Sequence, residues 1–220
     1  MIDYSVIIRT KNEEKYLKKC LSALYSQIIK PKEVIIVDND SNDSTLKISK
    51  SFNCKIINYK TKKFNYSKAI NLGVKKSNSI IFSVLSGHCI PFDSYWAYNA
   101  LKCFNDKDVC ATYSRQLPTK KSSNFDYRDL FQVFRNQDSL QVKDFYFNNA
   151  SSFIKKESWK NLKFNENING LEDIVWANLM LKKGKKVFYS SDSRVFHFHG
   201  INQNNNLRRL SRHIKILKTI

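Results

Sequence analysis

Acidic residues placed directly behind apolar runs are the first feature with chemical content. Asp38 and Asp40 follow Glu33-Val34-Ile35-Ile36-Val37, with Asn39 between them and Ser41 after. Carboxylates so placed can accept hydrogen bonds from a base N–H or from ribose hydroxyls, and nearby cations can meet phosphates. The same residues also make an ordinary polar turn that caps the next helix, so both readings stand. A second acidic pair, Glu172-Asp173, opens a helical pattern behind Gly170. There, negative charge complements the helix dipole by about 0.3–1 kcal/mol. Ser86-Gly87-His88 closes another apolar run, and His197 and His199 alternate further on. Such alternation shares one face only in a strand. Cys89 beside His88 makes a poor nucleophile–base pair, because neighbours on an extended segment point to opposite sides.

The elements that must hold these groups alternate between strand and helix. Tyr4–Arg9 reads as a buried strand, and Asn12 is placed to cap a helix whose Leu17, Cys20, Leu21, Leu24 and Ile28 share a face. A strand at Glu33–Asp38 precedes a helix capped by Asp43-Ser44 and carrying Leu46, Ile48 and Phe52. Further strands are expected at Lys55–Ile57 and Ile80–Leu85, with helices at Tyr66–Lys76 and Tyr95–Phe104. Beyond Tyr113 the pattern loosens into a polar loop, Pro118–Asn124, and an aromatic-rich helical insertion, Phe125–Phe147. A helix at Leu171–Lys183 and strands at Lys186–Tyr189 and Val195–Phe198 follow. Continuous apolar strands joined by helices imply an α/β fold, a mostly parallel sheet flanked by helices. Such sheets bind ligands beyond the carboxyl ends of their strands, where this chain has Arg9-Thr10-Lys11-Asn12-Glu13, Asp38-Asn39-Asp40-Ser41 and Ser86-Gly87-His88. Neither Gly-x-Gly-x-x-Gly nor Gly-x-x-x-x-Gly-Lys-[Ser/Thr] occurs, which argues against a dinucleotide enzyme and a P-loop NTPase.

With 220 residues, 42% of them hydrophobic, the chain can bury a full core as one domain with a small C-terminal extension. No apolar run approaches the ~20 residues needed to cross a bilayer, and the opening lacks a basic region followed by an apolar one. A cytoplasmic protein is the expectation. Five scattered cysteines without a Cys-x-x-Cys pair read as reduced thiols. Lys and Arg number 38 against 19 acids, a formal charge of +19 that attracts phosphates or simply solvates the surface. Residues 201–220 contain a basic amphipathic helix: Leu207, Leu210, Ile214 and Leu217 share a face, and Arg208, Arg209, Arg212 and Lys215 fall largely elsewhere. It suits an anionic membrane on the inner face, or docking on the protein body.

Ser5-Val6-Ile7-Ile8-Arg9-Thr10-Lys11-Asn12-Glu13, Tyr16-Leu17, Pro31 and Glu33 through Thr45 follow one another in an order that resembles the opening of family 2 glycosyltransferases. The likeness continues through Phe64–Gly73, Tyr113–Pro118, Asn148–Ser152, Gly170–Asp173 and His197-Phe198-His199. It implies a GT-A fold over residues 1–200, with a nucleotide-sugar half (1–115) and an acceptor half (116–200). It also implies transfer of a hexosyl or deoxyhexosyl group from a nucleoside-diphosphate sugar to a saccharide or lipid-linked acceptor, with inversion, in surface polysaccharide or glycolipid synthesis. By the same resemblance Thr10, Glu13, Asp38 and Asp40 hold base and ribose, and Asn12, Lys68, Asn71, Gly73, Ser86, His88 and Arg115 line the rest of the donor site. Arg115 and Gln116 are candidates to line the sugar pocket. Asp173 becomes the base, and Glu172 orients an acceptor hydroxyl or supports the loop. Trp176 either stacks on a sugar or packs in the core.

Family members usually carry Asp-x-Asp, which holds Mn²⁺ or Mg²⁺, where this chain has Ser86-Gly87-His88. Some relatives carry Asp-x-His and add a later histidine, so His88 and His199 form a candidate metal pair, better suited to Mn²⁺. Alternatively, histidines and basic side chains neutralise the diphosphate directly. Rival readings are a nucleic-acid-binding protein, which leaves the acids unexplained and is not expected, a nucleotidyltransferase without its Gly-rich loop, and a relative that has lost catalysis.

Overall fold

The computed structural model describes residues 3–198 and 207–218, the side chains of 207–210 excepted. Among them, β1 (Tyr4–Thr10), β2 (Glu33–Asp38), β3 (Lys55–Asn58), β4 (Ile81–Ser86), β5 (Cys89–Pro91), β6 (Val109–Leu117), β7 (Ser139–Gln141), β8 (Ser151–Lys155) and β9 (Lys186–His197) form one sheet. Its order is β3-β2-β1-β4-β8-β6-β9-β5, with β7 paired to β9. Pairing is parallel from β3 to β4 and turns antiparallel where β8 joins. The helices are α1 (Glu14–Tyr25), α2 (Thr45–Ser51), α3 (Tyr66–Lys76), α4 (Trp96–Leu101) with a 3-10 turn behind it, α5 (Asn124–Val133), α6 (Lys156–Asn161), α7 (Glu172–Lys182) and α8 (Leu207–Leu217). None of the described helices is long and apolar enough to cross a membrane.

Side chains alternate across a strand, so β1 feeds two cores. Ile7 joins Val37, Val84, Ile70, Val74 and Trp176 on one face, and Val6 and Ile8 join Leu17, Leu21, Leu24 and Trp96 on the other. Helix α3 lies close on the first face because Gly73 has no side chain. A Cβ there would stand 2.5 Å from Ile7 Cγ2.

Several expectations are corrected. Asn12 does not cap α1; it takes a left-handed backbone, φ 56°, two residues ahead of the helix. The caps are instead exchanged between helices. Asp43 accepts from Glu14 N and Thr45 N, and Glu14 accepts from Ser44 N. Ile28 lies beyond α1 and is exposed. The insertion after Phe125 is helical only to Val133, and its remainder supplies β7. The two strands expected after Lys186 are one, because polar Ser190–Arg194, which reads as a break, is absorbed by a bulge against β6. Ser193 there bonds Ser114 and the Trp96 carbonyl, which supports a polar residue buried in the sheet. Residue 115 lies inside β6, and strands from both sides of it join the one sheet.

Candidate active site

The parallel register sets Thr10 beside Asp38 and Arg9 beside Ser86, gathering polar side chains at the carboxyl edge of β1. On the β2 side the chain ties them to one another. Asp38, only 2% exposed, accepts from Thr10 Oγ1 (2.7 Å), Ser41 Oγ (2.6 Å) and Ser41 N (2.9 Å). Asn12 bonds Ser41 and Asn42 in the same loop. Lys11 Nζ donates to the carbonyls of Asn39 and Asp40. Asp40 is exposed and pairs with Lys60 at 2.9 Å, and this contact holds its carboxyl below the usual value.

Glu13 crosses to the turn after β4, where its Oε1 lies 3.0 Å from His88 Nδ1. Gly87 permits the approach, since a Cβ would meet Glu13 Cγ at 3.2 Å. The His88 ring stacks on His197 at 5.3 Å, and His197 Nδ1 lies 2.6 Å from Gln116 Oε1. Beside this chain of contacts opens a cleft of about 680 Å³, lined by Lys11, Lys15, Tyr16, Lys121, Asp126 and Phe198 among others. It does not extend to Glu172 or Asp173.

The second cluster lies at the start of α7. Gly170 and Leu171 both take positive φ, 103° and 56°, which turns the chain sharply into the helix and buries Glu172. Asp173 keeps part of its surface in solvent, accepting from Asn149 N and Ile174 N, both at 2.9 Å. Arg9 Nη1 stands 3.4 Å from Glu172 Oε1, and its guanidinium lies over the Tyr66 ring at 5.1 Å. Burial, then the charge of Asp173, pushes Glu172 up to about 7. Burial also raises Asp173, and its two backbone N–H partners pull it back. A partly exposed, raised carboxylate held by backbone donors can take a proton from a bound hydroxyl.

Other expected donor residues are not drawn in. Asn71 spends both amide hydrogens on Phe164 O and Glu166 Oε1 and its oxygen on Trp159 Nε1, so it fastens α3 to the segment after α6. Gly73 serves the α3–β1 contact. Lys68 is exposed on the first turn of α3. Ser86 N donates to Ala150 O, beside Asn149. Arg115 lies against Phe131, 6.0 Å from its ring centre. Trp176 is buried and bonds Leu162 O, the core alternative. The cysteines are free, and burial pushes the Cys89 thiol well up, away from nucleophile chemistry.

No three His, Cys, Asp or Glu side chains among the described residues come together as a metal site, and the Glu13 carboxylate is already bonded to His88. His199 lies outside the described residues. Sequence reading missed Arg9 as a site residue, though a charge ending a buried apolar strand is a usable signal. It also missed Asn149, whose backbone N–H leaves no mark in sequence.

The sequence and the fold have counterparts among known proteins. The chain is 28% identical over 207 residues to the O-antigen chain rhamnosyltransferase RfbN of Salmonella typhimurium, covering 89% of this chain and 66% of the relative. In fold it resembles the mannosyltransferase PcManGT of Pyrobaculum calidifontis, solved with GDP-Man and Mn²⁺, at TM-score 0.72 and 20% identity over 88% of this chain and 56% of that one. It also resembles S. aureus TarS 1-349, solved with UDP-GlcNAc, at TM-score 0.70 and 18% identity over 90% and 58%. This chain therefore spans less than two thirds of the length of these relatives. The profile of glycosyl transferase family 2 matches residues 5–165, taking in β1, the Asp38 loop, the Ser86–His88 turn and Asn149, and by that match the chain belongs to glycosyl transferase family 2.

Proposed function

We propose that the chain transfers a hexosyl or deoxyhexosyl group from a nucleoside-diphosphate sugar to a hydroxyl of a saccharide or lipid-linked acceptor, with inversion, in surface polysaccharide or glycolipid synthesis. The observation that carries this reading is the Glu172–Asp173 pair at the carboxyl edge of the sheet, with its raised carboxyls and backbone support. Asp173, the partly exposed member, takes the acceptor's proton as the hydroxyl attacks the anomeric carbon. Glu172, fully enclosed, holds the loop and Arg9 in place. The interlocked Asp38 loop presents a rigid wall for base and ribose, and Lys11, Lys15 and Lys121 give the adjoining cleft a positive field for phosphates. Relatives named as a rhamnosyltransferase and a mannosyltransferase support this donor class.

Helix α8 supports an acceptor carried on an anionic membrane. A Cβ at Gly170 would meet His213 Nε2 at 2.9 Å, so α8 rests on the loop that leads into Glu172. Ile214 and Leu217 stay 44% exposed beside exposed Arg212, Lys215 and Lys218, a mixed apolar and basic face suited to a lipid surface. Flotation with vesicles containing anionic lipid tests this: the chain should float, and an Ile214→Asp/Leu217→Asp variant should not.

The deciding experiment is calorimetric titration with UDP, GDP, dTDP and CDP, with and without Mn²⁺, followed by donor turnover. Selective binding of one nucleotide supports glycosyl transfer. Binding of none, together with salt-sensitive binding of oligonucleotides, replaces it with the nucleic-acid reading.

A further inference from the structure

Arg9 is a cation with donors to spare at the place where this sheet should meet its ligand. It ends β1 and pairs in register with Ser86 of β4, so both side chains leave the same face of the sheet. A guanidinium carries five N–H donors in a planar fork. Among the described residues its ion pair is to Glu172, a single contact at 3.4 Å and not a two-armed one. The Tyr66 ring, 5.1 Å away at the first turn of α3, gives it a flat support. The side chain is 13% exposed, and none of its nitrogens is a buried donor without a partner. Ser86 alongside brings a hydroxyl and no charge. Glu172, raised as described, leaves the arginine's charge incompletely balanced near neutral pH.

We infer that Arg9 grips the donor's diphosphate and stabilises it as it leaves. The inference rests on the glycosyl-transfer reading. As the acceptor oxygen bonds to the anomeric carbon, the bond from that carbon to the diphosphate oxygen breaks. The electron pair stays on the diphosphate, which gains one negative charge, and the acceptor's proton passes to Asp173. A planar fork meets two phosphate oxygens at once, which a lysine cannot do, and such charge-assisted contacts are the strong ones. Glu172 anchors one edge of the fork and Tyr66 one face, leaving the outer edge for the ligand.

The test compares nucleoside diphosphates with the matching monophosphates, which lack the second phosphate. Calorimetric titrations of the full chain, Arg9→Gln and Arg9→Lys are run without added metal, with thermal melts as a check on folding. Arg9→Gln should weaken diphosphate binding by about ten- to a hundredfold and monophosphate binding by less than about threefold. Arg9→Lys should fall between, and it carries the comparison if Arg9→Gln does not fold. Equal losses for both ligands, or no loss for either, overturn the role of Arg9 while leaving glycosyl transfer standing. A wild-type chain that binds none of the nucleotides removes both.

Discussion

The loop after β2 and the start of α7 set carboxylates at the same edge of one sheet and treat them in opposite ways. Asp38 is buried with two hydroxyls and a backbone N–H supplied to it, and the loop around it closes on itself through Asn12, Ser41 and Asn42. Glu172 is also buried, but a second acid adjoins it and Arg9 stands 3.4 Å away, so burial outweighs the support from Arg9, Asn149 and the backbone and lifts its carboxyl. A carboxylate whose neighbours satisfy it builds a wall. One whose ionised form is poorly supported is held ready to exchange a proton.

The sharpest way to break that contrast is Asp173→Asn. The rate of transfer should fall by about 10²–10⁴-fold while nucleotide binding and melting temperature hold, measured by initial rates, calorimetry and thermal melts. A comparable loss in nucleotide affinity would move Asp173 from chemistry to architecture. Asp38→Ala should do the reverse. It strips an acceptor from Thr10 and Ser41 in a buried loop and should cost about 2–4 kcal/mol in urea unfolding. Weakened nucleotide binding with unchanged stability would instead make Asp38 a ligand residue.

Glu172 predicts a pH dependence of stability. Its folded value is raised, from an ordinary 4.5 to about 7, so between these limits the folded chain binds more protons than the unfolded one. The associated stability is fully present below about 4.5 and is lost as pH rises through about 7. Glu172→Gln should flatten that slope by on the order of 1–3 kcal/mol between pH 4.5 and 8, read from urea midpoints, and an unchanged slope would place the titration elsewhere. Gly73→Ala should give the smallest effect. The new Cβ forces Ile7 to shift, costing about 1–2 kcal/mol, with no change in nucleotide affinity. Loss of affinity at equal stability would return Gly73 to the donor site.

Much of the frame was legible from residues alone. Runs such as Val6-Ile7-Ile8 and Val34-Ile35-Ile36-Val37 must be strands covered on both faces, and the helix at Tyr66–Lys76 was readable to its ends because its pattern is local. What failed had non-local causes. Ser190–Arg194 stays in the sheet because Ser114 and Trp96, far away in sequence, satisfy it. Asn12 looked like a cap, but Asp43 from the neighbouring loop does that work.

The division at the site has the same origin. By itself, the order of apolar runs and the polar residues behind them determined an α/β sheet with Thr10, Asp38 and Ser86 at the carboxyl ends of its strands, since hydrophobic period and chain order are properties of the sequence, while the Glu172-Asp173 pair was singled out by resemblance to family 2 glycosyltransferases. Only the tertiary structure decided which of these groups are spent and which are available. A hydrogen bond to Asn71 from Trp159, or the approach of Arg9 to Glu172, depends on residues 88 and 163 positions apart meeting in space, and no local pattern encodes that meeting.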